Sequence, residues 1–256
     1  MHAAPRFSEA GDRALVVEIG DSIDILTNDR VRSLMLAVEA LDVPGIRDLV
    51  PSYRSLLIAY DPTRTDHDSL VDIVTGADRD LGSAKIDRPR VVTLPTFYGG
   101  ERGPDLAYVA EHAGVTEAEV VDLHSGVDYR VYMIGFAPGF PYLGGLSEKI
   151  ATPRLDTPRA RIPAGSVGIA ESQTGVYPSA SPGGWRLIGR TPVRLFEPDR
   201  DPPSLVVAGD YIRFSALGSE TEYKAVQSAV ASGDYAPETA PAPDPAPPEP
   251  LGAELA

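Results

Sequence analysis

Between Gly135 and Pro192 glycine and proline recur so densely that neither a long helix nor an uninterrupted strand fits. Proline fixes φ and glycine opens positive φ, so such a stretch folds into defined turns where the main chain approaches something closely. The segments are Gly135-Phe-Ala-Pro-Gly-Phe-Pro-Tyr-Leu143, Arg159-Ala-Arg-Ile-Pro-Ala-Gly-Ser-Val-Gly168, Gln173-Thr-Gly-Val-Tyr-Pro178, Ser181-Pro-Gly-Gly-Trp185 and Ile188-Gly-Arg-Thr-Pro192. Arginines, hydroxyls and large aromatics are interleaved among them, a mixture that suits a small, polar, anionic ligand.

Charge sharpens that reading. The 256-residue chain carries 37 Asp and Glu against 23 Lys and Arg, a formal charge of −14, which argues against non-specific nucleic-acid binding. From Arg130 to Asp201 the balance reverses, with nine Lys and Arg against six Asp and Glu. A locally basic patch on an acidic chain favours a carboxylate or phosphate ligand. With no cysteine, disulfides and thiolate chemistry are excluded. No run approaches the roughly 18 apolar residues of a membrane helix. Met1 to Glu9 lacks the apolar core of a secretion signal. The expectation is a cytoplasmic protein without membrane contact.

The first 88 residues alternate between strand and helix patterns. Ala14 to Ile19 reads as a strand, and Asn28 is placed to cap a helix from Asp29 to Leu41. Ile46 to Val50 and Ser55 to Tyr60 are short strands, Asp66 caps a second helix, and Arg90 to Leu94 is a further strand. The order βαββαβ is that of a ferredoxin-like unit. Beyond Pro95, helices are expected over Pro104 to Ala113 and from the capping box Thr116 to Glu119. Short strands then recur between turns (Ser166 to Ala170, Trp185 to Arg190, Val193 to Phe196, Tyr211 to Phe214), as in a β-barrel or sandwich. Pro203 to Asp210 with Tyr211 to Phe214 reads as a closing hairpin. The fold class is thus α+β, with an α/β domain over 8–88, a β domain over 89–217, and 218–256 as a short helix followed by an acidic, proline-rich tail. From Ala236 that tail is too poor in apolar bulk to order itself.

No phosphate-binding loop, Gly-x-Ser-x-Gly elbow or His-x-x-His spacing occurs, and no metal site is expected. His112 and His124 read as surface or structural residues. The block supplies the candidates instead. Arg159 and Arg161, two apart on a strand, are placed to fork a carboxylate, with Arg190 as a third cation. Gly165 and Ser166 form a turn whose N–H groups suit an anion. Gln173, Thr174 and Tyr177 offer an amide and hydroxyls, and Gly183 and Gly184 let a ligand approach the backbone. Phe136, Pro138, Phe140, Tyr142 and Trp185 are candidate pocket walls. No catalytic residue can be named.

These motifs, together with Val50-Pro-Ser-Tyr-Arg-Ser-Leu-Leu57 and Tyr60-Asp-Pro62, resemble the B-subunit family of bacterial 5-oxoprolinases, also known as KipI or allophanate hydrolase subunit 1. The resemblance covers about residues 8 to 217. It implies a ferredoxin-like N-terminal domain followed by a cyclophilin-like β-barrel. It also implies partners, a KipA-like C subunit and an A subunit, with which the chain opens 5-oxo-L-proline to L-glutamate using ATP. The family's other branches imply two alternatives, an inhibitor of a histidine kinase or a component of a urea or allophanate carboxyltransferase.

Overall fold

The computed structural model describes residues 1–81 and 89–242. Its elements in chain order are β1 (Arg6–Glu9), β2 (Ala14–Glu18), α1 (Ile25–Ala40), β3 (Ile46–Pro51), β4 (Ser55–Tyr60), α2 (His67–Arg79), β5 (Arg90–Tyr98), α3 (Leu106–Ala113), α4 (Glu117–Ser125) and β6 (Asp128–Ile134). There follow β7 (Pro141–Gly144), β8 (Arg159–Ile162), β9 (Ser166–Ala170), β10 (Gln173–Val176), β11 (Ser181–Gly183), β12 (Arg186–Arg190), β13 (Tyr211–Ala216), α5 (Glu220–Ser232) and β14 (Thr239–Pro241). Among the described residues no helix is long and apolar enough to cross a membrane.

The N-terminal sheet runs β1-β2-β4-β3, antiparallel throughout. Alternation in β2 and β4 buries Leu15, Val17, Leu56 and Ile58, and α1 covers them with Val31, Leu34 and Val38 at helical spacing. α2 adds Leu70 and Val74 from a helix capped, as the sequence predicts, by Asp66. The ferredoxin-like layout holds with one exchange of strand. The edge place expected for Arg90 to Leu94 is filled by β1, because β5 pairs in the other sheet. The boundary expected at 88/89 falls beside residues 82–88, outside the described residues.

Seven strands close the second sheet into a barrel, in the order β12-β9-β10-β7-β6-β13-β5 and back to β12. Val92, Leu94, Val131, Leu143, Val167, Ile169, Ile188, Ile212 and Phe214 fill it. The expected closing hairpin does not form. β13 instead pairs in parallel with β5, Tyr211 opposite Val91, and antiparallel with β6. Parallel neighbours need a long crossover, which the intervening chain supplies. Val193 to Phe196 makes only a single bridge, Phe196 to Ser204. β8 and β11 form a separate two-stranded flap. The capping box of Thr116 and Glu119 opens α4 as predicted. The beginning of the tail is ordered against expectation: β14 pairs with β5, and Ala242 N donates to Pro89 O. Main-chain hydrogen bonds to a free strand edge explain this without apolar side chains. The remainder, 243–256, lies outside the described residues.

Asn28 is not a cap. Asp24 caps α1, accepting from Thr27 N at 2.8 Å, and Asn28 lies one turn inside, buried. Its amide donates to Ser52 O and Tyr132 O, both at 3.1 Å, with Tyr53 O at 3.4 Å, so one side chain ties α1 and the β3–β4 turn to the barrel. Beside it Arg130 pairs with Asp29. Asn28→Ala leaves buried carbonyls without a donor and is expected to cost about 2 kcal/mol, read as a lower urea midpoint. An unchanged midpoint would mean the tie carries no stability.

Candidate functional site

The block folds around an aromatic basin of about 490 Å³ lined by Phe136, Phe140, Tyr142, Arg154, Pro158, Tyr177, Pro182, Gly183, Gly184 and Trp185. Phe140 stands at its centre. Its ring meets Phe136 at 5.5 Å, Tyr142 at 5.2 Å, Tyr177 at 5.5 Å and Trp185 at 5.7 Å, all edge-to-face. That geometry sets the positive edge of one ring against the negative face of the next and locks the walls together. Gly183 lets the walls close in, because a Cβ there would lie 2.5 Å from the Tyr177 hydroxyl and 2.7 Å from the end of Ile162, and both side chains would have to shift.

Phe136 is held unusually. Its φ is +64°, Ala137 N donates to Gly135 O at 2.7 Å across it, and its side chain is 69% exposed. An aromatic residue in a left-handed turn is strained, and such strain persists where the surrounding structure over-determines it. Here Gly135 N to Phe140 O and Phe140 N to Ala137 O fix the turn. The strained turn holds the Phe136 ring at the basin mouth. Pro138, exposed in the same turn, is outside the lining.

The polar candidates divide. Tyr177, Gly183 and Gly184 line the basin; Arg159, Arg161, Gly165, Ser166, Gln173, Thr174 and Arg190 do not. Arg159 and Arg161 do not form a clamp together. Arg159 donates to Asp105 at 2.8 Å, and that carboxylate also takes the Leu187 N–H at 2.6 Å, so the fork is filled by the chain's own acid. Arg161 is exposed on the flap. Gly165 and Ser166 offer no open nest: Gly165 N donates to Tyr177 O and Ser166 N to Pro163 O, and Ser166 is buried at the start of β9. Arg190 donates to Ala164 O, and Gln173 to the Tyr53 hydroxyl.

Thr174 is fully buried and serves the barrel interior. Its hydroxyl lies 3.0 Å from Gly168 O, to which it donates its one hydrogen, and 2.8 Å from His124 Nε2. His124 must therefore carry its proton on Nε2, leaving Nδ1 to accept from the Tyr98 hydroxyl at 2.8 Å. His124 is thus a structural residue. Burial lowers its pKa from 6.5 to about 3 and pushes the Tyr98 phenol well up.

The unfolded chain consequently binds a proton at His124 before the folded one does. Stability from this group is complete above pH 6.5 and falls as pH drops from 6.5 toward about 3. The slope is at most about 1.4 kcal/mol per pH unit. Urea midpoints measured from pH 7 to 4 should decline accordingly, and less steeply in His124→Gln. Equal slopes would remove His124 from the acid response.

Among the described residues the one cation in the lining is Arg154, which no sequence motif marks. It is exposed and takes part in no ion pair among the described residues. It and Arg159 favour the phenolate of Tyr177, but burial outweighs them and the phenol pKa is raised. A free guanidinium beside stacked aromatic walls can hold the carboxylate of a small ring compound. A larger cleft, about 800 Å³, lies between α1 and residues 202–210, lined among others by Met35, Leu36, Ile134 and Val206. It contains none of the candidates, and the ion pair of Arg90 with Asp210 in its lining is closed on itself. The basin, though smaller, is the pocket that the motif residues line.

Residues 5–206 match the family model for the carboxyltransferase domain, subdomains C and D. The chain is 41% identical over 234 residues to the B subunit of 5-oxoprolinase from Bacillus subtilis (strain 168), covering 86% of this chain and 95% of that one. It is similar to the crystal structure of TTHA0988, at 37% identity and a TM-score of 0.71, over 82% of this chain and 41% of that one. It also shares its fold with the Kluyveromyces lactis urea carboxylase (20% identity, TM-score 0.75), over 93% of this chain and 24% of that one.

Proposed function

The chain belongs to the carboxyltransferase-domain family, subdomains C and D, and from that membership we propose that it is the B subunit of a 5-oxoprolinase. It acts with its partner C and A subunits to open 5-oxo-L-proline to L-glutamate. The observation that carries this is the basin, whose aromatic walls and single uncommitted arginine match a flat lactam ring bearing one carboxylate. In this reading Arg154 holds the carboxylate, Phe140, Tyr177 and Trp185 contact the ring, and Phe136 shields the mouth from water.

Among the described residues the basin lining carries no carboxylate or imidazole, and in this reading the general base comes from a partner. A triphosphate needs clustered cations and free backbone N–H groups. Among the described residues the lining has one arginine, and the Gly165 and Ser166 N–H groups are spent on carbonyls. The basin does not fit ATP, and in this reading the nucleotide belongs to a partner. ATP supplies the activation that lactam opening requires; this chain supplies the pocket.

The test is glutamate release from 5-oxoproline and ATP by the three co-expressed subunits. Turnover is expected only when this chain is present. Release by the other two alone, or none by the full set, would overturn the proposal. In the second case the carboxyltransferase and kinase-inhibitor readings would be next in line.

A further inference from the structure

Tyr53 lies on the turn between β3 and β4, in the N-terminal sheet, yet its side chain ends against the barrel. Gln173 Nε2, on β10, donates to its hydroxyl at 2.7 Å. The ring stands 5.4 Å from Tyr132 and meets Tyr142 edge-on at 6.1 Å. Tyr142 is a wall of the basin, and its opposite contact is Phe140 at 5.2 Å. The wall is thus held between a basin residue and a residue of the other sheet.

The backbone of Tyr53 is fixed as firmly as its ring. Asn28 donates to the carbonyls of Ser52 and Tyr53 from inside α1, and Ser52 N donates to Ser55 O at 2.8 Å. Burial pushes the Tyr53 phenol up to about 12, against the bond from Gln173, which favours the phenolate, so the hydroxyl stays neutral at physiological pH. A side chain clamped at both ends holds its neighbours to a defined position, and a loose wall weakens ligand binding more than it alters chemistry.

We infer that Tyr53 is a positioning residue through which the N-terminal sheet sets the Tyr142 wall of the basin and so its affinity for the ring substrate. The inference rests on the basin being the substrate site. A purely adhesive role between the two sheets would lower stability and leave substrate affinity alone.

The complex assembled with Tyr53→Leu is expected to show a KM for 5-oxoproline raised about tenfold or more, with kcat within about twofold. Tyr53→Phe keeps the ring and loses only the hydroxyl bond, for a rise of about threefold. Gln173→Leu should match Tyr53→Phe, and the double variant should be no worse than either, as one shared bond requires. These milder variants carry the test if Tyr53→Leu fails to fold. Trp185 is the sole tryptophan and lines the basin. Its emission in the isolated chain should therefore shift to the red and become more quenchable in Tyr53→Leu but not in Tyr53→Phe. With an active wild-type complex, an unchanged KM in the variants overturns the inference. If the wild-type complex is inactive, the hydrolase reading fails on its own, and an unchanged Trp185 spectrum then overturns the role of Tyr53.

Discussion

Gly165→Ala is expected to unfold the barrel rather than to weaken a ligand. Gly165 has φ +79°, and a Cβ built on it would lie 2.1 Å from the carbonyl oxygen of Thr191. That oxygen belongs to backbone and cannot swing aside. Gly165 N donates to Tyr177 O at 2.7 Å and its carbonyl accepts from Thr191 N at 2.9 Å, so any shift that relieves the clash breaks main-chain bonds on two neighbouring segments. Backbone clash, positive φ and lost buried hydrogen bonds together put the cost above about 4 kcal/mol, in the range reserved for gross disruption. For a protein of this size each kcal/mol moves Tm by roughly 2–4 °C, so a loss of about 10 °C or an insoluble product is expected. Gly114 is the control. It too has positive φ, +66°, but nothing lies within 4 Å of its Cβ position. Gly114→Ala should cost about 1 kcal/mol, the conformational strain alone. Thermal melts followed by circular dichroism compare the two. An anion nest at Gly165 would give the opposite pattern, with near-native melting and lost binding.

That contrast between a local turn signal and its distant neighbours runs through the whole molecule. Local signals are legible in the sequence: Asp66 and the Thr116–Glu119 box cap helices where expected, because a cap needs only residues three positions apart. Asp24 escapes notice because Ile25 and Leu26, in the first turn of α1, are exposed and break the apolar period that marks a helix start. Choices that depend on distant chain are not readable. Arg90 to Leu94 is a strand by composition, but its partners β13, about 120 residues on, and β14 decide which sheet takes it. Arg159 looks free until Asp105, 54 residues away, folds against it. The glycine and aromatic motifs locate the basin because they shape its backbone, and so mark Tyr177, Gly183, Gly184 and Trp185. Its cation lies outside those motifs, in the segment before β8, where no turn chemistry points to it.

Arg154→Gln in the assembled complex is expected to lower kcat/KM for 5-oxoproline by roughly 10- to 100-fold, chiefly through KM. That range follows from a charge-assisted hydrogen bond to carboxylate being worth about 1.5–3 kcal/mol. Two features place Arg154 at the upper part of it. The wall beside it is apolar and aromatic, which strengthens electrostatic interaction once substrate excludes water. Its guanidinium is not committed to any carboxylate among the described residues, so nothing has to be broken before it binds. Arg159 would have to leave Asp105 first. Because Arg154 is exposed, its loss should leave Tm unchanged within about 2 °C, which separates binding from folding. Arg154→Lys should recover part of the affinity, since an ammonium keeps the charge but not the planar fork. Arg161→Gln removes the same charge from the exposed flap strand and should cost less than about threefold, as expected for a cation that acts only through solvent. Raising salt should narrow the gap between wild type and Arg154→Gln. If Arg161→Gln proves the more damaging of the two, the carboxylate is bound on the flap rather than in the basin. If neither moves KM, the substrate carboxylate is held by a partner, and this chain contributes only the aromatic walls.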